Sequence, residues 1–137
     1  MRSVLGIDPG TRKVGYALVS EGGGVVARGI EAVDTLAPRV AALAAAHAIA
    51  TLAIGTGTNA KGISAQLATL GIPLRLVDER ETTLGARRLY YAENPARGWQ
   101  RLLPIGLRFP PRPIDDYAAE LIARRFLALG GEKPSPS

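Results

Sequence analysis

The chain has 137 residues, of which 47% are hydrophobic and 21% are charged. This size and composition are typical of a single globular domain and exclude an intrinsically disordered chain. The absence of cysteine excludes disulfides, thiol nucleophiles and zinc sites built on cysteine, and the one histidine excludes sites that need several. The N-terminal apolar run is too short for a signal peptide, and no uncharged stretch is long enough for a membrane span. We therefore expect a cytoplasmic protein with no membrane partner.

The net charge is +5, and the whole excess lies in one segment of the chain. Residues 80–112 contain seven arginines and two glutamates, whereas basic and acidic residues balance elsewhere. A positive excess of this kind favours a polyanionic partner such as nucleic acid. The alternative is a solvated helix face and loop with no partner.

The hydrophobic pattern predicts three strands at the start of the chain. They cover residues 4–7, 14–20 and 25–30, with turn residues between them. Apolar residues at helical spacing then predict a helix that starts near Thr35. The chain therefore opens with an antiparallel meander that leads into a helix.

The second half of the chain alternates strands and helices. Strands are predicted over 52–55 and 73–77, with a helix between them and another helix starting near Thr82. Residues 94–113 are rich in Arg, Gly and Pro and are expected to form a loop, and a last helix starts near Asp115.

This order predicts one α/β domain with a mixed five-stranded sheet, made of three antiparallel strands followed by αβ units, and with helices on both faces. The domain is expected to span residues 1–131. Residues 132–137 are expected to form a disordered tail.

Carboxylates lie at the ends of predicted elements that are far apart in the chain. They end the first strand, end the last strand and begin the last helix: Asp8, Asp78, Glu79, Asp115 and Asp116. Ligands of open α/β sheets bind outside the carboxyl ends of the strands, where such acids can converge. Carboxylates with no neighbouring His or Cys suit Mg²⁺ or Mn²⁺, and two such ions beside a basic groove suit phosphodiester hydrolysis. The structural alternative is that these acids form turns and cap the helix.

The segment after Asp8 and Pro9 contains four residues that suit contact with phosphate. They are Gly10, Thr11, Arg12 and Lys13. Glycine allows close approach of the backbone, and the other three side chains can donate to phosphate oxygens. A tight hairpin with no ligand also requires a glycine, so the turn alone is weak support for binding.

Three segments resemble the motifs of one known family. Residues 7–17 (IDPGTRKVGYA) resemble the opening motif of the YqgF/RuvX proteins, relatives of the RuvC Holliday junction resolvases. Residues 77–83 (VDERETT) resemble the second motif and residues 114–122 (IDDYAAELI) the third. The order of the motifs and the chain length also agree, from about residue 4 to residue 127. The resemblance implies an RNase H-like fold and a nuclease that depends on Mg²⁺ or Mn²⁺.

The resemblance also implies roles for individual residues. Asp8, Glu79 and Asp115 match the catalytic acids and would hold two metal ions, with Asp116 as a further candidate ligand. Asp115 is preferred to Asp116 because of its spacing to the Tyr-Ala-Ala pattern. The candidate nucleic-acid-binding residues lie in or beside the first two motifs: Gly10, Thr11, Arg12, Lys13, Arg80, Thr82, Thr83, Arg87 and Arg88.

The chain departs from the family pattern at the end of its fourth strand. RuvC-type resolvases carry their second acid there, whereas this chain reads Ile54-Gly55-Thr56, so that Glu79 after the next strand takes the role. Within the Arg-rich stretch, packing against neighbouring apolar residues is the favoured interpretation of Trp99, and stacking on a base is the alternative.

The resemblance favours RNA as the substrate, in the type of nuclease that processes the 5′ end of pre-16S rRNA. A Holliday junction resolvase acting on DNA and a non-catalytic RNA-binding factor of ribosome biogenesis are the alternatives. A phosphate-binding ATPase of the sugar-kinase and actin type ranks last, because those proteins close two such domains around a nucleotide. Monomer and dimer both remain open, as do the preferred metal and the direction of cleavage.

Overall fold

The computed structural model describes residues 2–78, 82–96, 98–108 and 110–129, without the side chains of residues 82 and 83. The strands are β1 Ser3–Asp8, β2 Lys13–Ser20, β3 Val25–Ala32, β4 Ile49–Gly55 and β5 Leu74–Val77. The α-helices are α1 Leu36–Ala46, α2 Ala60–Ala68, α3 Thr82–Glu93 and α4 Asp115–Ala128. Their order along the chain is the predicted one.

The five strands form one mixed sheet in the order β3-β2-β1-β4-β5. β1 pairs antiparallel with β2, and β2 pairs antiparallel with β3. β4 is parallel to β1 and to β5. The predicted sheet, with a meander followed by αβ units, is therefore confirmed.

Helices cover both faces of the sheet, as predicted. Alternate residues of a strand point to opposite faces, so that Leu5 packs towards α1 and α2, whereas its neighbour Val4 packs towards α4. α3 packs on α4 through a smaller cluster that includes Tyr90 and Tyr117. In the described part of the chain, no helix is long and apolar enough to cross a membrane.

Several expectations need correction. β4 begins at Ile49, earlier than the predicted 52, because Ile49 already pairs with Ser3 of β1. The expected loop over 94–113 contains two short 3₁₀ helices, Gly98–Leu102 and Ile105–Leu107. The expected packing of Trp99 is wrong, since 67% of this residue is exposed.

The expected tail, 132–137, lies outside the described residues.

Two glycines allow α4 to lie directly on β1 and β2. A Cβ atom on Gly6 would overlap the carbonyl oxygen of Ala119, and one on Gly15 would overlap the backbone of Asp115. A clash with backbone cannot be relieved by rotating a side chain, so the close contact requires glycine at both positions. The start of α4 therefore lies over Gly15, which is the register partner of Asp8.

We predict that Gly6→Ala lowers the free energy of unfolding by about 2 kcal/mol, because the added methyl group forces α4 off the sheet. The measurement is urea denaturation followed by circular dichroism. Gly24→Ala is the matched control, since a Cβ there would have its nearest neighbour, Ser20 Oγ, at 3.8 Å. The control should change stability by less than about 0.5 kcal/mol. Equal losses in the two variants would contradict the packing argument.

Candidate active site

Asp8 and Asp115 line one cavity of about 460 Å³. Asp8 is the last residue of β1 and Asp115 is the first residue of α4, and both are half-buried. They meet because the backbone of Asp115 lies against Gly15, which pairs with Asp8 across the sheet. The predicted convergence of these two acids is therefore present in the structure.

Two arginines line the same cavity. The Nη1 atom of Arg87 on α3 donates a hydrogen bond to the carbonyl oxygen of Gly106 at 2.6 Å. The Nη1 atom of Arg112 donates to the carbonyl oxygen of Pro113 at 2.7 Å. The cavity thus combines carboxylates, which attract a cation, with guanidinium groups, which bind phosphate.

The donors in this cavity fit a divalent metal ion, because carboxylate oxygens are the ligands that Mg²⁺ and Mn²⁺ prefer. Among the described residues, no group of three or more His, Asp or Glu side chains is arranged to hold a metal. The third candidate ligand, Glu79, and the neighbouring Arg80 lie outside those residues. In the sequence, Glu79 follows the end of β5 at Val77 by two positions.

Asp116 is not brought to the cavity by the structure. Its side chain is 3% exposed and accepts two hydrogen bonds from Arg112, with Nη1–Oδ1 at 3.1 Å and Nη2–Oδ2 at 3.3 Å. Those hydrogen bonds raise the pKa of the Arg112 guanidinium. The expectation that Asp116 is a further metal ligand is therefore not supported, and the carboxylate instead pairs with arginine.

A buried ion-pair cluster joins α4 to β3, and no sequence pattern predicted it. Glu120 has a side chain that is 3% exposed and accepts hydrogen bonds from Arg28 Nη2 at 2.5 Å and Arg124 Nε at 2.7 Å. The Nη1 atom of Arg28 lies 3.8 Å from Oδ2 of Asp116. The guanidinium of Arg28 also lies 4.1 Å from the ring centroid of Tyr117, whose pKa is raised by burial.

One signal for this cluster was present in the sequence. Residues 112, 116, 120 and 124 are spaced by four, and an arginine at each end flanks two carboxylic acids. That spacing places all four on one side of a helix and its N-terminal extension. Nothing in the sequence, however, identifies Arg28 as their partner on the sheet.

The predicted binding residues Thr11 and Arg12, in the turn between β1 and β2, are exposed, as is Lys13, the first residue of β2. The carbonyl oxygen of Gly10 accepts a hydrogen bond from Asn59 Nδ2 at 3.0 Å. Asn59 has a φ of 64° and immediately precedes α2, so this bond ties the loop after β4 to the turn. The sequence patterns did not predict this contact between Asn59 and the turn.

The remaining predicted binding residues lie on or before α3. Arg87 lines the cavity, whereas Arg88 is exposed to solvent. Thr82 and Thr83 begin α3, but their side chains lie outside the described part of the structure.

Searches for relatives found curated proteins but no matching family model. The chain is 28% identical to a protein of Pelotomaculum thermopropionicum named "Putative pre-16S rRNA nuclease", in a match that covers 93% of the chain and 88% of that protein. A second match, to a Coxiella burnetii protein of the same name, is 39% identical over 57 residues. It covers 42% of the chain and 32% of that protein.

The fold is similar to that of RuvC. A Thermus thermophilus RuvC in complex with a Holliday junction substrate matches with a TM-score of 0.66 at 17% identity, over 98% of the chain and 100% of that protein. A further RuvC structure matches with a TM-score of 0.58 at 18% identity, over 95% of the chain and 97% of RuvC. The chain therefore has an RNase H-like fold. Together with the curated relatives, this fold confirms the resemblance to the YqgF/RuvX family.

We predict that Glu120→Ala lowers the free energy of unfolding by about 2 kcal/mol, because it leaves two arginine side chains without their shared acceptor. The loss is smaller than for a fully buried pair, since Arg28 and Arg124 retain 21% and 37% side-chain exposure. Urea denaturation measures the change.

Glu31→Ala is the control for that prediction. Glu31 accepts hydrogen bonds from Thr35 Oγ1 at 2.5 Å and from Arg39 Nε at 3.2 Å, at the protein surface. Glu31→Ala should lower the free energy of unfolding by less than about 1 kcal/mol. A loss at Glu31 as large as that at Glu120 would contradict the role assigned to the buried cluster.

Proposed function

We propose that this chain is a nuclease that hydrolyses phosphodiester bonds with Mg²⁺ or Mn²⁺, held by Asp8, Asp115 and Glu79. The observation that carries the proposal is that Asp8 and Asp115 share a cavity with Arg87 and Arg112. Anionic ligands for a cation next to guanidinium groups for phosphate are what metal-assisted hydrolysis of a phosphodiester requires. The names of the curated relatives and the RuvC-like fold support the same class of reaction.

The protein's contribution is to hold charged groups in fixed positions. A bound divalent ion lowers the pKa of water and neutralises charge on the phosphate. Asp8 and Asp115 are carried by the end of a strand and the start of a helix, so their carboxylates are oriented before substrate arrives. Arg87 is held by Gly106 and Arg112 by Asp116, and their guanidinium groups therefore lose little freedom when phosphate binds.

RNA is the proposed substrate, in the type of reaction that processes the 5′ end of pre-16S rRNA. Both curated relatives are named "Putative pre-16S rRNA nuclease", which supports an RNA substrate. Holliday junction DNA is the second candidate, because the RuvC of similar fold was solved with such a junction. A non-catalytic RNA-binding factor is the third candidate. Such a factor would bind RNA through the same arginines and would not use the carboxylates.

We predict that Asp8→Asn abolishes cleavage and leaves nucleic-acid binding nearly unchanged, because it removes a metal ligand and keeps the arginines. End-labelled single-stranded RNA, single-stranded DNA and a four-way DNA junction are incubated with Mg²⁺, Mn²⁺ or EDTA, and binding is measured in EDTA. Asp34→Asn is the matched control, since Asp34 is exposed and lies outside the cavity. The control should cleave as the wild type does.

The preferred substrate in this assay separates the candidates. Cleavage of RNA supports processing of an RNA precursor, and cleavage of the junction alone supports a resolvase. Full activity of Asp8→Asn would refute the assignment of Asp8. Binding with no cleavage in either metal would favour the non-catalytic factor.

A further inference from the structure

We propose that Trp99, Leu102 and Leu107 form a stacking surface for the bases of single-stranded nucleic acid beside the carboxylate cavity. These three residues are 67%, 82% and 57% exposed, respectively. They lie on the two 3₁₀ helices between α3 and α4. The inference rests on the proposed function, because it assigns to the same substrate a surface outside the cavity.

The segment that carries the stacking surface is held by hydrogen bonds within itself and by a contact with α3. Arg108 donates hydrogen bonds from Nε to the carbonyl oxygen of Leu103 at 2.9 Å and from Nη2 to that of Arg101 at 3.2 Å. The guanidinium of Arg108 also lies 5.3 Å from the ring centroid of Tyr91 on α3. The segment is thus held in place with Trp99, Leu102 and Leu107 exposed. Large apolar side chains exposed together on one short segment are typical of interaction sites.

One residue connects the stacking surface to the cavity. Arg87 lines the cavity that contains Asp8 and Asp115, and its Nη1 atom donates to the carbonyl oxygen of Gly106. Gly106 directly precedes Leu107, a member of the stacking surface. A strand with bases on the stacking surface therefore lies next to the groups that would bind its phosphate.

The positive charge around the stacking surface favours nucleic acid as the molecule that binds there. Residues 82–108 contain five arginines and one glutamate, and Arg88 and Arg101 are exposed. A second copy of this chain would bring like charges together across the surface, which is unfavourable. A single-stranded nucleic acid supplies both negative phosphates and flat base faces, and an indole ring stacks on bases of any sequence.

Trp99 is the one tryptophan of the chain, so tryptophan fluorescence, excited at the red edge where the four tyrosines absorb little, reports on this position alone. The full chain in EDTA is titrated with a single-stranded oligonucleotide and with an abasic oligonucleotide of the same length and charge. We expect quenching by the first and little quenching by the second, because stacking requires bases. Binding in all variants is followed by anisotropy of a labelled oligonucleotide.

Trp99→Ala should weaken binding of the base-containing strand by about tenfold and leave binding of the abasic strand unchanged. Trp99→Phe should recover most of the affinity, since it restores an aromatic face. Leu129→Ala is the matched control, because Leu129 is 61% exposed at the end of α4, the opposite end from Asp115. It should bind both strands as the wild type does.

Two results would overturn the stacking surface. One is equal quenching by both strands, or none, in a protein that cleaves nucleic acid, which would leave the nuclease proposal intact. The other is self-association in sedimentation that Trp99→Ala abolishes, with no quenching by oligonucleotide, which would assign the surface to a dimer. Base-dependent quenching in a protein that never cleaves would instead support the stacking surface and overturn the catalytic proposal.

Discussion

The close contact between α4 and the sheet at Gly6 and Gly15 is the constraint on which the candidate site depends. The helix backbone lies where side chains of β1 and β2 would otherwise stand. The first residue of α4, Asp115, is thereby fixed over Gly15, and the register of the antiparallel pair places Asp8 opposite the same glycine. Two acids that are 107 positions apart in the sequence meet because two residues lack a Cβ atom.

The buried ion-pair cluster fixes the rotation of α4, as the glycines fix its distance from the sheet. Buried carboxylates are costly unless they are paired, so Asp116 and Glu120 must face the arginines that neutralise them. Arg28 on β3 supplies one of those arginines from the sheet itself. Because Asp116 faces these arginines, Asp115 is the carboxylate of the first turn that lines the cavity. Two adjacent aspartates therefore have different surroundings, since Asp116 pairs with arginine and Asp115 faces the cavity.

Local patterns predicted the elements and part of the site. Alternating apolar residues and turn residues gave the meander and the αβ units, because those signals act over a few positions. They also placed Asp8 at the end of a strand and Asp115 at the start of a helix, and these positions bring the two acids together. The pairing of Arg28 with Glu120 spans 92 positions, and no local pattern encodes it.

Local patterns also failed to predict whether Trp99 is buried. Its apolar neighbours in the sequence favoured burial, yet the indole is exposed. The carbonyl groups of the segment accept hydrogen bonds from Arg87 and Arg108. Composition alone does not say which side of a short helix faces the domain. The role of Glu79 remains a proposal that comes from the motif it occupies.

The central claim is that α4 places Asp115, and not Asp116, beside Asp8 at a metal site. Binding of Mn²⁺ to the protein without substrate tests this claim most directly. Electron paramagnetic resonance measures the fraction of Mn²⁺ bound. We expect Asp8→Asn and Asp115→Asn each to weaken Mn²⁺ binding by about tenfold or more, and Asp116→Asn to leave it unchanged. Wild-type affinity in Asp115→Asn, or its loss in Asp116→Asn with the fold intact, would contradict the account.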